Sequence, residues 1–377
     1  TAPKGFRAWG VHCGVKSKKA DKKDLALILS DQECAAAAVY TMNRVKAAPL
    51  YVTMEHLEDG TAWGVAANSG NANACCPQSH ENAEAMSASA AAATGREPGD
   101  FVVASTGVIG QTINISAIQA GLPQAAAALS ASGSDAAAHA IMTTDTVKKE
   151  IAVSLTIGGK EVRLGAIAKG SGMIHPNMGT MLAFVTTDCA ITHEMLSDAL
   201  HEVVARTFNR VTVDGDTSTN DMCVVLANGM AGNSLIEWKD QDYETFLAAL
   251  EEVCRHLSRA IAGDGEGASK LVTCKMHGAR SEESAERLAK AVVGSSLVKA
   301  AMFGADANWG RVLCAMGYSK APFRPEHVDV AFCSQAGAIL VCKQGDGVDF
   351  DEDKAKTILT ENLDKLHTMS HLLLQYE

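Results

Sequence analysis

Residues Met181 to Val185 are continuously apolar and follow directly on a loop rich in Gly, Pro and Asn. Such a run reads as a strand buried on both faces, and both faces are covered only inside a layered fold. Around it, β-rich runs alternate with segments of helical spacing. Residues 151–158 and 161–168 are β-rich and separated by Gly159 and Lys160, a hairpin pattern. Leu196, Ala199, Leu200, Val203 and Val204 recur at helical spacing, with Thr192 placed as N-cap. A strand over Met222 to Ala227, a helix over Tyr243 to Ala262, a strand over Leu271 to Met276 and a helix over Glu282 to Val293 continue the alternation. Upstream, Asn82 to Ala93 predicts an Ala-rich helix, and Ile115 to Leu129 predicts two short helices split at Gly121 and Pro123. The class is α/β, sheets covered by helices. A chain of 377 residues exceeds one ordinary core, which predicts two lobes or a large sandwich.

The net charge of −11, with Lys and Arg scattered rather than striped, argues against a nucleic-acid partner. No apolar run reaches the length needed to cross a bilayer, so no membrane segment is expected. The start, TAPKGFRAWG, shows no basic-then-apolar leader, so no export signal is expected. The 11 cysteines form no disulfide-like framework, and several stand in apolar runs such as MCVVLA. They read as buried thiols in a reducing cytoplasm. Cys75, Cys76 and His80 could suggest a metal site. Adjacent cysteines rarely share one zinc, so no metal is expected.

Several polar loops resist a purely structural reading. NSGNANAC (68–75) is a turn-rich loop. STGVIG (105–110) opens from an apolar strand into a Gly turn, a geometry that can aim N–H groups at an anion. VDGDTSTND (213–221) lacks the spacing of a calcium loop, and GDGEGASK (263–270) lacks that of a phosphate loop. FGADANWGR (303–311) places Asp306, Asn308, Trp309 and Arg311 in a Gly-bounded turn. Each alone is more often structural; together they suggest a site built from many loop ends. No GxSxG elbow or Cys/His pair supplies a nucleophile. Thr180 does so on local grounds. A Thr that begins a strand after a Gly can attack the preceding carbonyl, shift the acyl group from N to O, and be released by hydrolysis. Its new α-amino group, with a pKa near 8, then serves as its own base.

The segment KGSGMIHPNMGTMLAF closely resembles the self-cleavage segment of the ornithine acetyltransferases, the bifunctional arginine-biosynthesis acetyltransferases, whose pattern is near KGSGMIxPNMATMLAF. NSGNANAC, STGVIG, VDGDTSTND and SSLVKAAMFGADANWGRVLCAMGYS match in order, and the likeness runs from about residue 5 to about residue 360. The resemblance implies an αββα-like sandwich with a second, smaller C-terminal lobe. It implies cleavage between Gly179 and Thr180 into an α chain, 1–179, and a β chain, 180–377, two of each in the assembly. It implies ping-pong transfer, in which Thr180 takes acetyl from N-acetylornithine and passes it to glutamate. Thr106 and Gly107 match the oxyanion-hole positions; Thr143, Lys169, Thr180 and Glu266 match the substrate-contacting ones. Lys169 suits a substrate carboxylate and Glu266 a substrate amine. No cofactor is implied, and acetyl-CoA stays open as a second donor.

Three departures stand out. Gly179 replaces the usual Ala, which leaves cleavage no harder, and His175 fills a variable position. After Asn362 the chain reads LDKLHTMSHLLLQYE in place of the family's NAxYxT tail, and Leu363, Leu366, Met369 and Leu372 to Leu374 suggest a terminal helix. Two further readings therefore stand beside the transferase. One is an amidase or aminopeptidase that gives the acyl group to water. The other is a catalytically impaired subunit with an incomplete pocket.

Overall fold

The computed structural model describes residues 1–15, 22–175 and 181–360, and the backbone alone of 368–374. Contacts divide the chain into two compact units, Thr1–Val211 with Asp216–Glu266, and Thr212–Gly215 with Gly267–Glu377. The expected smaller C-terminal lobe is the second of these.

In the first unit the strands are β1 (Phe6–Val11), β2 (Leu25–Tyr40), β3 (Thr61–Asn68), β4 (Phe101–Ser105), β5 (Lys149–Ile157), β6 (Lys160–Lys169), β7 (Leu182–Thr187) and β8 (Met222–Ala227). They run in the order β4-β3-β2-β8-β7-β6-β5, with β1 also on β2. The helices are α1 (Ala48–His56), α2 (Ser79–Thr94), α3 (Ile115–Ala127), α4 (Ser134–Ala140), α5 (His193–Arg206) and α6 (Gln241–Gly263). Strand β2 makes the sandwich possible. Its first half pairs with β1 and β3, its second half with β8, and between them Asp31, Gln32 and Glu33 are exposed at a break in register. The sheet thus folds over on itself. Residues of alternating parity on β2 separate the layers. Ala26, Ile28 and Ala36 share a core with Val65, Val102, Ile167, Phe184 and Val224, between the two halves of the sheet. Leu25, Leu27 and Leu29 point the other way, into a core with Met86 of α2 and Ile118 and Leu122 of α3. On the opposite outer face α5 and α6 pack against β2, β5 and β6. Helices, sheet, sheet, helices: the expected αββα layering is present.

The sequence pattern explains most boundaries. Strand β7 is buried along its whole length, as the apolar run predicts. Thr192 caps α5 by accepting from the Met195 N–H. The hairpin turns one residue earlier than expected, on Gly158 and Gly159, because both adopt positive φ while Ile157 and Lys160 pair. Two expectations fail. Residues 115–127 form one helix, not two, with Pro123 inside it. Gly121 does not break that helix but lets it approach its neighbours: a Cβ there would stand 2.5 Å from Cys13 Cβ. The suggested terminal helix is also wrong where the chain is described. Residues Thr368–Leu374 form β13, antiparallel to β10 (Val328–Ser334) and parallel to β9 (Val272–His277). The backbone groups along β9 and β10 are satisfied by a strand between them, which outweighs a helical spacing of leucines.

The rest of the second unit is α7 (Glu282–Gly294), α8 (Ser296–Phe303), α9 (Trp309–Gly317), β11 (Gly337–Lys343), β12 (Asp346–Gly347) and α10 (Glu352–Thr360). Its sheet runs β12-β11-β10-β13-β9, and Leu288, Met316, Phe332 and Ile358 lie in its core. No helix among the described residues is long and apolar enough to cross a membrane.

Candidate functional site

Three of the polar loops meet at the end of β4. The Asn68 side-chain amide donates to Ser105 Oγ at 2.6 Å, and its carbonyl oxygen accepts from the Gly70 and Asn71 N–H groups at 3.1 Å each. From the third loop, buried Asn220 donates to the Ala72 carbonyl at 2.7 Å and to the Ser105 carbonyl at 2.8 Å. The turn after β4 is thereby held from two sides. Thr106 donates its backbone N–H to the Asn68 carbonyl at 2.9 Å, so that N–H is committed. Its hydroxyl oxygen accepts from Lys169 Nζ at 3.4 Å, which leaves the hydroxyl proton to point elsewhere. Gly107 has φ of +135°, and a Cβ there would stand 2.9 Å from the Asn71 nitrogen, so only glycine suits this turn. A donor pair at this strand end can come from the Thr106 hydroxyl and the Gly107 N–H.

A second cluster lies at the end of β6. Lys169 is buried there and its neighbour Gly170 donates its N–H to Asp145 Oδ1 at 2.7 Å. Asp145 Oδ2 accepts the Thr143 N–H at 3.0 Å. Lys149 Nζ donates to Asp145 Oδ1 and to Asp264 Oδ2, each at 2.7 Å, and to the Val147 carbonyl at 3.2 Å. The Asp145 and Lys149 side chains have 0% exposure. Burial pushes the Asp145 carboxyl up, but the charges of Lys169 and Lys149 and the Gly170 N–H outweigh it and hold it below its ordinary range. Asp264 is lowered for the same reason, with Lys149 and Thr146 opposing its burial. Ser171 Oγ donates to the Asp264 carbonyl at 2.8 Å, and the Glu266 N–H to the Ser171 carbonyl at 2.9 Å. The Glu266 carboxylate lies over Gly172, where a Cβ would meet Oε2 at 2.2 Å.

Thr106, Gly107, Thr143, Lys169 and Glu266 therefore belong to one connected network in the first unit. Gly179 and Thr180 lie outside the described residues. Their described neighbours in sequence are His175, whose carbonyl accepts from Thr217 Oγ1 at 2.9 Å, and Met181, whose carbonyl accepts from the Met222 N–H at 3.0 Å. Leu182, two residues after Thr180, is paired with Lys169. FGADANWGR lies in the second unit, and it opens a helix instead of forming a simple turn. Asn308 caps α9 by accepting from the Arg311 N–H, and Arg311 Nη1 donates to the Leu297 carbonyl at 2.9 Å. No group of three metal-ligating side chains occurs among the described residues, and His80 sits 3.6 Å from Glu84. The 11 cysteines are unpaired; burial pushes Cys34 and Cys274 up to about 12, far from a reactive thiolate.

Sequence reasoning missed Asp145, Lys149 and Asn220. Asp145 stands in TTDTVKK beside two candidate threonines, and the dense acid–base spacing was its only signal. Asn220 was visible merely as part of a polar loop.

The sequence pattern of the ArgJ family matches residues 7–369. The arginine biosynthesis bifunctional protein ArgJ of Symbiobacterium thermophilum is 52% identical over 362 residues, 96% of this chain and 89% of that protein. The ArgJ 1 protein of Clostridium acetobutylicum is 47% identical over 355 residues, 94% of this chain and 86% of that one. Among solved structures, ornithine acetyltransferase from Mycobacterium tuberculosis in complex with ornithine is 35% identical, with a TM-score of 0.41 over 47% of this chain and 93% of that one. On the extent of the family match and the identity to the two ArgJ proteins, this chain belongs to the ArgJ family of arginine-biosynthesis enzymes.

Proposed function

We propose that this chain is a self-cleaving acetyltransferase that moves acetyl from N-acetyl-L-ornithine to L-glutamate through an acetyl ester on Thr180. The observation that supports it most is the state of Thr106. Its N–H is spent on Asn68, its hydroxyl faces Lys169, and Lys169 is paired with Leu182, two residues along the chain from Thr180. In the first half-reaction the Thr180 hydroxyl adds to the acetyl carbonyl as the Thr180 α-amine takes its proton. The oxygen that gains charge is met by the Thr106 hydroxyl and the Gly107 N–H. The C–N bond breaks, and ornithine leaves with the proton held by the amine. In the second, the amine of glutamate attacks the ester by the reverse course. Lys169 receives the substrate carboxylate and Glu266 an ammonium group, with Thr143 beside them. The acetyl group is carried by Thr180 itself, so no cofactor is needed; acetyl-CoA would enter as a second donor. In the same reading 1–179 and 180–377 are α and β chains, two of each, acting in the cytoplasm.

Intact-mass measurement tests this. Purified protein should show two chains whose masses sum to the precursor plus one water, and N-acetylornithine should add one acetyl group to the chain beginning at Thr180. Glutamate should then remove it as acetylglutamate. Thr180→Ala should remain one chain with no transfer; a cleaved Thr180→Ala protein sinks the reading. Release of free acetate in place of acetylglutamate would mark an amidase.

A further inference from the structure

We propose that Asp145 is a positioning residue that holds Lys169 as the shared anchor for the α-carboxylates of donor and acceptor, an inference that rests on the transferase reading above. The case begins with a buried lysine whose partners are all within the protein. Lys149 has three N–H protons and all three are used, on Asp145, Asp264 and the Val147 carbonyl. A fully buried ammonium is costly unless its partners are fixed, so a network this complete holds its members in one geometry. Asp145 turns that rigidity toward the site. One carboxylate oxygen grips the N–H of Gly170, the residue after Lys169, and the other grips the N–H of Thr143. The far end of the network does the same for Glu266. Asp264 binds the Thr146 N–H and hydroxyl, while its carbonyl holds Ser171, which in turn holds the Glu266 N–H. Two carboxylates and one lysine thereby set the backbone on which Thr143, Lys169 and Glu266 ride.

Charge gives Asp145 a second effect. With Lys149, Lys169 and Asp264 it makes a formally neutral set of four, in which the charge of buried Lys169 helps to keep the Asp145 carboxyl ionised, while exposed Glu266 lies over Gly172. Asn at position 145 loses that charge and one acceptor as well, since its NH2 group can only donate where the second carboxylate oxygen now accepts.

The test is Asp145→Asn, assayed for transfer across pH with self-cleavage and thermal melting as checks on folding. KM for N-acetylornithine and for glutamate should both rise by about tenfold or more, with kcat within about threefold, because a charge-assisted anchor is displaced. The alkaline limb of kcat/KM should move to lower pH, since the substitution removes a carboxylate charge that interacts with the Lys169 ammonium; a purely structural lesion would lower the profile without moving it. Asp145→Glu, which restores the charge, should return the limb toward its original place. A fall in kcat with KM unchanged, or an unmoved limb, overturns the proposal. Should Asp145→Asn fail to fold, Asp264→Asn carries the same reading: KM raised for both substrates supports it, and a loss confined to kcat overturns it. Wild-type protein that forms no acetylglutamate would overturn the transferase reading itself, a different result from an active enzyme indifferent to residue 145.

Discussion

Thr106 shows how much one hydrogen bond decides. From its motif, either its backbone N–H or its hydroxyl can serve an oxyanion. The fold assigns the N–H to Asn68 at 2.9 Å and leaves the hydroxyl beside Lys169. Thr106→Ala should therefore slow acetyl transfer by roughly 10²–10³ in kcat, the usual cost of one oxyanion donor, with Thr106→Ser retaining most of the rate. Single-turnover acetylation of the chain beginning at Thr180 measures this, and a rate within about threefold of the parent would reassign the donor. The motif was legible at this position, but its division of labour was not. Lys149 was not legible at all, because its second partner, Asp264, lies 115 residues away.

Among the elements, α3 teaches the limits of breaker residues. Gly121 and Pro123 argue for two helices on propensity alone, and the chain makes one. The reason is packing. Ile118, Leu122 and Ala125 are buried on one face, and Gly121 lets that face close on Cys13 and Leu25. Gly121→Ala, a good substitution in an isolated helix, should here destabilise by about 1–3 kcal/mol through overpacking. Urea denaturation reads it; a midpoint equal to or above the parent's would show that the neighbours give way. Strand β13 carries the same lesson, since open backbone on β9 and β10 selects a strand where side-chain spacing suggested a helix.

Across the whole molecule, pH should probe the buried ion network. Asp145 and Asp264 both have folded-state pKa values below their ordinary ones. Their contribution to stability is complete above the unfolded value, about 3.9, and is lost as pH falls through the lower folded values. The urea midpoint of the intact protein should therefore drop steeply between about pH 4 and pH 2, and Asp145→Asn should flatten that drop. An identical slope in the variant would mean that other carboxylates govern acid unfolding.

The sequence by itself determined the α/β class, with sheets covered by helices, and the identity of most candidate site residues. A continuous apolar run must be covered on both faces, and the loop motifs are long enough to carry a family resemblance, which implied the αββα layers. Residues such as Thr106 and Lys169 announce themselves because their chemistry is local to a motif. What only the tertiary structure decided is how those residues are held. Asn220 reaches Ala72 and Ser105, and Lys149 reaches Asp264, across more than a hundred residues of chain. Such pairings leave no periodic trace, because a buried donor is satisfied by whichever acceptor the folded layers bring to it, not by one at a set distance in sequence.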